Sequence, residues 1–278
     1  MRILTRIPVY TLVILGLAFF LIFLVFPIYW LFVSSIRPAE ALFQVPSQLV
    51  PSRVSFDNFV TMLTRTQIAR YFLNSVFVSI SVVMLTMFIS ILGAYSLTKY
   101  NYPGRELISR LILLAYIFPG ILILFPLHQM VVNFGLHNSL TGLILANLTF
   151  TVPFCLWMLR AFFMQLPVSL EEAAMIDGCN KFGAFLRVLL PLTKPGVLAG
   201  GVFAFILSWN EYMFALVFIT RNDLRTLPLG VAGFLGHLTI EWGLLLASGV
   251  TAVLPIVFAF MFFQRYLVQG ISAGAVKG

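Results

Sequence analysis

No charged residue falls between Arg6 and Arg37. An apolar run of that length exceeds the ~18 residues a helix needs to cross the hydrocarbon core of a bilayer. Inside that core backbone N–H and C=O groups find no water, so a spanning segment of this kind is helical. The situation recurs along the chain. No charge lies between Arg70 and Lys99, between Arg110 and Arg160, between Lys194 and Glu211, or between Glu241 and Arg265. These stretches constrain the chain to an all-α integral membrane protein. Composition agrees, since 61% of the 278 residues are hydrophobic and only 9% charged, against about a quarter charged in soluble domains.

Six spans are expected. They lie at about Pro8–Ser35, between Arg70 and Lys99, twice between Arg110 and Arg160, at about Pro195–Thr220, and at about Trp242–Gln264. The polar stretch His128–Ser139 should separate the third from the fourth. The first uncharged run is too long for a signal-peptide core of ~7–15 residues, and no small-residue cleavage site follows it, so a retained helix is expected. Pro27, Pro119, Pro126, Pro153 and Pro255 fall inside spans and read as sites of irregularity. Gly196, Gly200, Gly201 and Ala204 have the spacing of a close helix–helix approach.

The net charge of +8 does not indicate nucleic-acid binding, because Lys and Arg are scattered through short loops with no basic stripe. It sets topology instead. One side holds Arg2, Arg6, Lys99, Arg105, Arg110, Arg160, Lys181, Arg187, Lys194, Arg265 and Lys277. The other holds Arg37, Arg53, Arg65, Arg70, Arg221 and Arg225. Both termini and the loop 167–191 are therefore expected on the cytoplasmic side, and the Arg37–Arg70 loop outside. Cys155 and Cys179 lack partners at metal-ligand spacing and are expected as free thiols. His128, His137 and His237 read as solvated loop residues.

The loop 167–191 is the chain's main polar island. Pro167-Val168-Ser169-Leu170-Glu171-Glu172 has the pattern of a helix start, with Ser169 and Glu172 spaced as a capping box and acidic residues favoured by the helix dipole. Asp177-Gly178 should close that helix with a left-handed glycine. A second short helix, about Lys181–Leu189, should end at Pro191. Glu172 thus has two readings on local grounds, as a cap within an interfacial helix or as a contact for a partner.

The order Glu172-Ala173-Ala174, Gly178, Val188, Leu190, Pro191 resembles the EAA motif of permease subunits of ATP-binding cassette (ABC) importers, with Val188 where the motif usually has Ile. Ser208-Trp209-Asn210-Glu211-Tyr212 and the segment from Gln264-Arg265-Tyr266 to Gly278 resemble the carbohydrate-uptake branch, in particular its MalG-like subunit. The resemblance covers nearly the whole chain. It implies a MetI-like ABC importer permease fold of six transmembrane helices with a cytoplasmic coupling helix-turn-helix, in the bacterial inner membrane with both termini cytoplasmic. Residues 1–70 would form the first helix and outward loop, 71–267 the core, and 268–278 a cytoplasmic tail.

By the same resemblance Glu171, Glu172, Ala173, Ala174, Asp177, Gly178, Val188, Leu190 and Pro191 would couple to a dimeric ATPase. Gly274, Ala275 and Lys277 would touch that ATPase as well. Trp209, Asn210, Glu211 and Tyr212 are candidates for the translocation path, where polar groups suit sugar hydroxyls and Trp suits a sugar ring face. Glu211, about 6 Å to the outer side of its segment centre by helix rise, also has a structural reading, as a hydrogen bond to a neighbouring helix or as exposure near the interface. The implied partners are a second homologous permease, the ATPase dimer, an external solute-binding protein and membrane lipid. ATP and Mg would sit at the ATPase, with no cofactor on this chain.

No Gly-x-x-x-x-Gly-Lys-Ser/Thr loop is present, nor a helical His-Glu-x-x-His, nor Gly-x-Ser-x-Gly, so the chain has no recognisable site for ATP or for hydrolytic chemistry. An ion-gradient-driven secondary transporter is the alternative. It should carry intramembrane carboxylates or a repeat of broken spans, and Glu211 is the one carboxylate within an expected span. An intramembrane enzyme would need a catalytic constellation in the spans, and a structural scaffold would leave the loop 167–191 without a purpose.

Overall fold

The computed structural model describes residues 6–44, 49–236 and 240–275, and among them every regular element is helical. The order begins α1 (Arg6–Ser35), α2 (Asp57–Arg65), α3 (Ile68–Lys99), α4 (Arg105–Ile117), α5 (Gly120–Asn133) and α6 (Leu140–Met164). It continues α7 (Val168–Ile176), α8 (Lys181–Ala184), α9 (Leu190–Leu192), α10 (Lys194–Trp209), α11 (Met213–Phe218), α12 (Leu227–Gly233) and α13 (Trp242–Ala275). Contacts divide the chain into two units, residues 1–68 with 231–253, and 69–230 with 254–278.

Among the described residues four helices are long and apolar enough to cross a membrane alone: Thr11–Ser35 of α1, α3, α6 and Trp242–Tyr266 of α13. Two further pairs do so only if each bent pair is one span. The run Arg105–Ile117 turns by 101° into Gly120–Asn133, and Lys181–Leu192 turns by 73° into Lys194–Trp209. The first break falls at Phe118-Pro119. Pro119 has extended backbone, φ −61° and ψ 122°, and restricts the residue before it from the helical region, so α4 ends there and α5 begins after it. Pro27, Pro126, Pro153 and Pro255 sit inside helices that continue past them.

Two sequence expectations need correction. Helix α5 runs on to Asn133, so His128 is helical and the connection to α6 is shortened to Phe134–Ser139. The fifth expected span, about Pro195–Thr220, is not continuous, because α10 stops at Trp209 and α11 starts at Met213. The last span lies where expected, at Trp242–Tyr266, and its helix continues beyond it to Ala275.

In the first unit α1 shows apolar side chains to its surroundings along most of its length, Phe19 at 72% exposure among them. A helix so clothed needs lipid around it. Its C-terminal carbonyls are closed by Asn58, whose Nδ2 donates to the Ser35 carbonyl at 2.9 Å and to that of Arg37 at 2.8 Å. Unmet carbonyls at a helix end are thereby satisfied by a side chain. The Arg37 guanidinium lies 5.0 Å from the Trp30 ring centroid, a cation–π contact.

In the second unit α4, α10 and α11 all pack on α6. Helix α3 reaches α6 through a buried hydroxyl pair, Thr86 to Thr151 at 2.7 Å. Lipid gives no hydrophobic drive to such packing, so small residues that let backbones approach carry it. A methyl group on Gly196 would lie 2.6 Å from the Phe162 ring, and one on Gly200 2.9 Å from Met158 Cε. Ala204 is fully buried. The expected small-residue face of α10 is thus a packing face.

Candidate functional site

The loop 167–191 begins where α6 ends. Pro167 has φ −58° and ψ 144° and precedes the first turn of α7 without a side-chain cap. The capping box does not form. The helix starts at Val168, which puts Ser169 inside the first turn instead of before it. The other end follows the expectation. Gly178 has φ +91°, the left-handed region that glycine enters without penalty. The Gly178 N–H donates to the Met175 carbonyl at 3.1 Å and the Cys179 N–H to Ala174 at 3.0 Å, the pair of bonds that defines a Schellman closure.

Asn180 starts the next helix. Its Oδ1 accepts from the Gly183 N–H at 2.7 Å, a side-chain N-cap. Pro191 does not terminate the helical run, which continues to Leu192. Pro191 cannot donate to the Arg187 carbonyl, and the turn Phe185–Leu189 widens to π geometry. The chain turns at the buried Thr193, whose Oγ1 donates to the Leu190 carbonyl at 3.0 Å. Val188 and Leu190 are half-buried and Pro191 exposed.

Burial separates the loop into two faces. Glu171 is 8% exposed, and its Oε1 accepts from the Tyr95 hydroxyl of α3 at 3.0 Å. Ala174 is buried beside it. Beneath lie Phe163, Phe185, Leu189, Leu159, Ala94 and Tyr95 as one apolar cluster. Lys99 Nζ donates to the Leu166 carbonyl at 2.7 Å. On the opposite face Glu172, Ala173, Asp177 and Gly178 are exposed. Ile176 is 86% exposed and Phe182 62%. This face of the loop therefore exposes large apolar side chains among its polar ones.

Tyr95, Lys99 and Asn180 do not stand out in the sequence as site residues. Tyr95 carries a signal all the same, a phenol inside an otherwise apolar span, which needs a hydrogen-bond partner when buried.

The second group of candidates sits where α10 breaks. Trp209 is 1% exposed and packs edge-on to Phe72 at 5.6 Å and stacked on Phe205 at 5.4 Å. Asn210 and Tyr212 are exposed. The Glu211 carboxylate accepts from the Phe214 N–H at 2.5 Å and the Ala215 N–H at 3.1 Å. It closes the first turn of α11, and this bonding accompanies the interruption of the span. The Glu211 carboxylate thus bonds backbone N–H groups three and four residues along the chain. The helix-rise position given by a continuous span does not apply.

Of the tail candidates Gly274 and Ala275 lie in the last turn of α13, and Lys277 lies outside the described residues, as does His237. Cys155 is buried and Cys179 partly so, both as free thiols. Among the described residues no three His, Cys, Asp or Glu side chains are grouped to hold a metal ion.

One connection has no signal in the sequence. Asn138, with φ 53°, accepts through Oδ1 from the N–H groups of Thr220 at 2.7 Å and Arg221 at 3.0 Å. It ties the α5–α6 turn to the segment after α11.

The chain is similar to known proteins. Residues 86–273 match the family model described as binding-protein-dependent transport system inner membrane component. The trehalose/maltose transport system permease protein MalG of Thermococcus litoralis is 35% identical, over 96% of this chain and 96% of that protein. The arabinooligosaccharides transport system permease protein AraQ of Halalkalibacterium halodurans is 34% identical, over 95% of each. A chain in the crystal structure of a bacterial ABC transporter involved in import of the acidic polysaccharide alginate superposes with a TM-score of 0.82 at 22% identity, over 94% of this chain and 96% of that one. At that identity the likeness establishes the shared fold.

Proposed function

The chain belongs to the family of binding-protein-dependent transport system inner membrane components, and from that premise we propose that it passes a sugar or related polyol across the cytoplasmic membrane, driven by ATP hydrolysis in a separate subunit docked on loop 167–191. It is a permease subunit of an ABC importer and not an enzyme, a multi-pass protein of the inner membrane. The sugar assignment is supported by relatives named for trehalose/maltose and arabinooligosaccharides. Its working partners are an external solute-binding protein, a second homologous permease and an ATPase dimer that holds ATP and Mg. In this reading α4 with α5 forms the third span and α10 with α11 the fifth, giving six, and both termini face the cytoplasm with loop 167–191.

The observation that carries the proposal is the two-faced loop. A short helix closed by Gly178 and seated through Glu171 on an aromatic cluster is stiff. It presents Glu172, Ala173 and Ile176 outward. A stiff element transmits a rigid-body push that a mobile loop would absorb. Ala173 allows close approach of the partner, and Asp177, Gly178, Val188, Leu190 and Pro191 set the turn and the return to α10. Asn210 and Tyr212 are the exposed members of the path candidates, and Trp209 and Glu211 hold the break that exposes them. The last turn of α13, with Gly274 and Ala275, and then Lys277, supplies a second ATPase contact.

Reconstitution of the complete complex in proteoliposomes tests this reading. Uptake of the cognate sugar should require ATP and the solute-binding protein and should persist when ion gradients are collapsed. Uptake that follows an imposed ion gradient without ATP would refute it.

A further inference from the structure

The C-terminal end of α3, with Tyr100 just after it, is fastened to loop 167–191 and to the end of α6 that leads into it. The Tyr95 hydroxyl donates to the buried Glu171 carboxylate at 3.0 Å, and the Tyr95 ring lies 4.4 Å from that of Phe185 and 6.1 Å from that of Phe163. Lys99 Nζ donates to the Leu166 carbonyl at 2.7 Å. The Lys181 ammonium, on α8, lies 5.5 Å from the ring centroid of Tyr100, which itself meets Tyr95 edge-on at 5.5 Å. A buried carboxylate is costly to leave unpaired, so the Tyr95–Glu171 bond fixes α7 to α3 more firmly than surface contacts would.

The other end of α3 is fastened too. Asn74 Nδ2 donates to the carbonyls of Asp223 at 3.0 Å and Arg225 at 2.9 Å. Ser75 Oγ accepts from the Leu227 N–H at 2.8 Å, and the Tyr71 hydroxyl donates to Asn222 Oδ1 at 2.6 Å. Between these ends α3 is one continuous helix of 32 residues with no proline, about 48 Å of rigid rod at 1.5 Å per residue.

We propose that α3 is the strut that carries a displacement of loop 167–191 to the segment 222–227 at the opposite membrane face, and that Tyr95 is the positioning residue that locks the loop to it through Glu171. The inference rests on the reading of that loop as the ATPase contact. It adds a route by which the push reaches the far side. A push on α7 enters α3 at Tyr95 and leaves it at Tyr71, Asn74 and Ser75, all without passing through the broken spans.

The test uses the full complex in proteoliposomes and reads sugar transported per ATP hydrolysed, alongside the amount of assembled complex. Tyr95→Phe keeps the ring and removes the hydroxyl. It should lower transport per ATP about tenfold, the scale of one hydrogen bond to a charged group, while the ATPase still turns over. Glu171→Gln keeps an acceptor oxygen for the same hydroxyl and should stay within about twofold of the unsubstituted complex. Pairing Tyr95→Phe with Glu171→Leu should be no worse than the poorer single change, because both remove one bond. A purely structural role would reduce assembled complex and leave transport per ATP unchanged. If Tyr95→Phe fails to assemble, Glu171→Leu gives the same reading. Unchanged transport per ATP in assembled Tyr95→Phe complex overturns the strut. Glu172→Lys in the same assay separates the two ideas. If it uncouples while Tyr95→Phe does not, only the strut fails; if it too leaves coupling intact, the strut falls together with the ATPase-contact reading.

Discussion

Glu171 and Glu172 are adjacent in sequence and lie in different surroundings: Glu171 is buried with its carboxylate accepting from Tyr95 at 3.0 Å, and Glu172 is exposed. On a helix, neighbouring residues point about 100° apart, so one carboxylate serves the fold of the loop and the other is offered to a partner.

Reversing the exposed charge should therefore break function without breaking the protein. Glu172→Lys should leave the melting temperature of the purified chain within about 1 °C, since surface substitutions away from special features change stability little. It should also reduce ATP-driven uptake by at least about tenfold, the scale on which repulsion in place of attraction weakens a charged interface. Uptake assays beside a thermal-stability assay decide this.

Packing in the second unit gives a stability prediction. A methyl on Gly230 would come within 2.0 Å of Tyr71 Cδ2, and Tyr71 is held by its hydrogen bond to Asn222. Gly230→Ala should destabilise by about 1–3 kcal/mol, the usual cost of overpacking. Gly16→Ala, where nothing lies within 4 Å, should not destabilise. Thermal unfolding of both variants in one detergent provides the comparison.

The orientation of loop 167–191 has a natural probe. Cys179 is partly exposed and Cys155 buried. A membrane-impermeant maleimide should label the chain in inside-out vesicles and not in intact spheroplasts. Mass spectrometry should place the adduct on Cys179. Labelling from the outside would reverse the topology.

Asp223 predicts a pH response. The hydrogen bond from the Arg221 guanidinium, 2.7 Å at Oδ2, holds its carboxyl below the usual range, with Arg70 at 3.4 Å adding to the effect. A depressed value means that the stabilisation is fully present above the unfolded value of about 3.9 and is lost as pH falls through the lower folded value. The melting-temperature difference between the unsubstituted chain and Asp223→Asn should thus be the same at pH 6 and pH 8, and should shrink only below about pH 4. A difference that changes between pH 6 and pH 8 would show that another group is responsible.

Much of this arrangement is legible from the chain alone. The uncharged runs give the long helices because lipid permits little else. The closing turn at Gly178 is readable because Asp-Gly after a short amphipathic stretch has few other conformations. Where the reading fails, a tertiary bond or a single backbone restriction overrides a local pattern. Ser169 looks like a cap, but Pro167 starts the helix earlier. The break at Asn210–Tyr212 is hidden in an apolar run because it depends on Glu211 turning its carboxylate onto the N–H groups of Phe214 and Ala215. The partner of Glu171 lies on a helix 76 residues away, a distance that no local periodicity encodes.

The central claim is that the outer face of loop 167–191 meets the ATPase. A photoreactive amino acid at Ile176, 86% exposed, tests it most directly in membranes containing the assembled complex. Illumination should yield an adduct with the ATPase subunit. The same probe at Phe19 on α1, 72% exposed, should yield none. Failure of Ile176 to capture the ATPase while the complex is active would contradict the account.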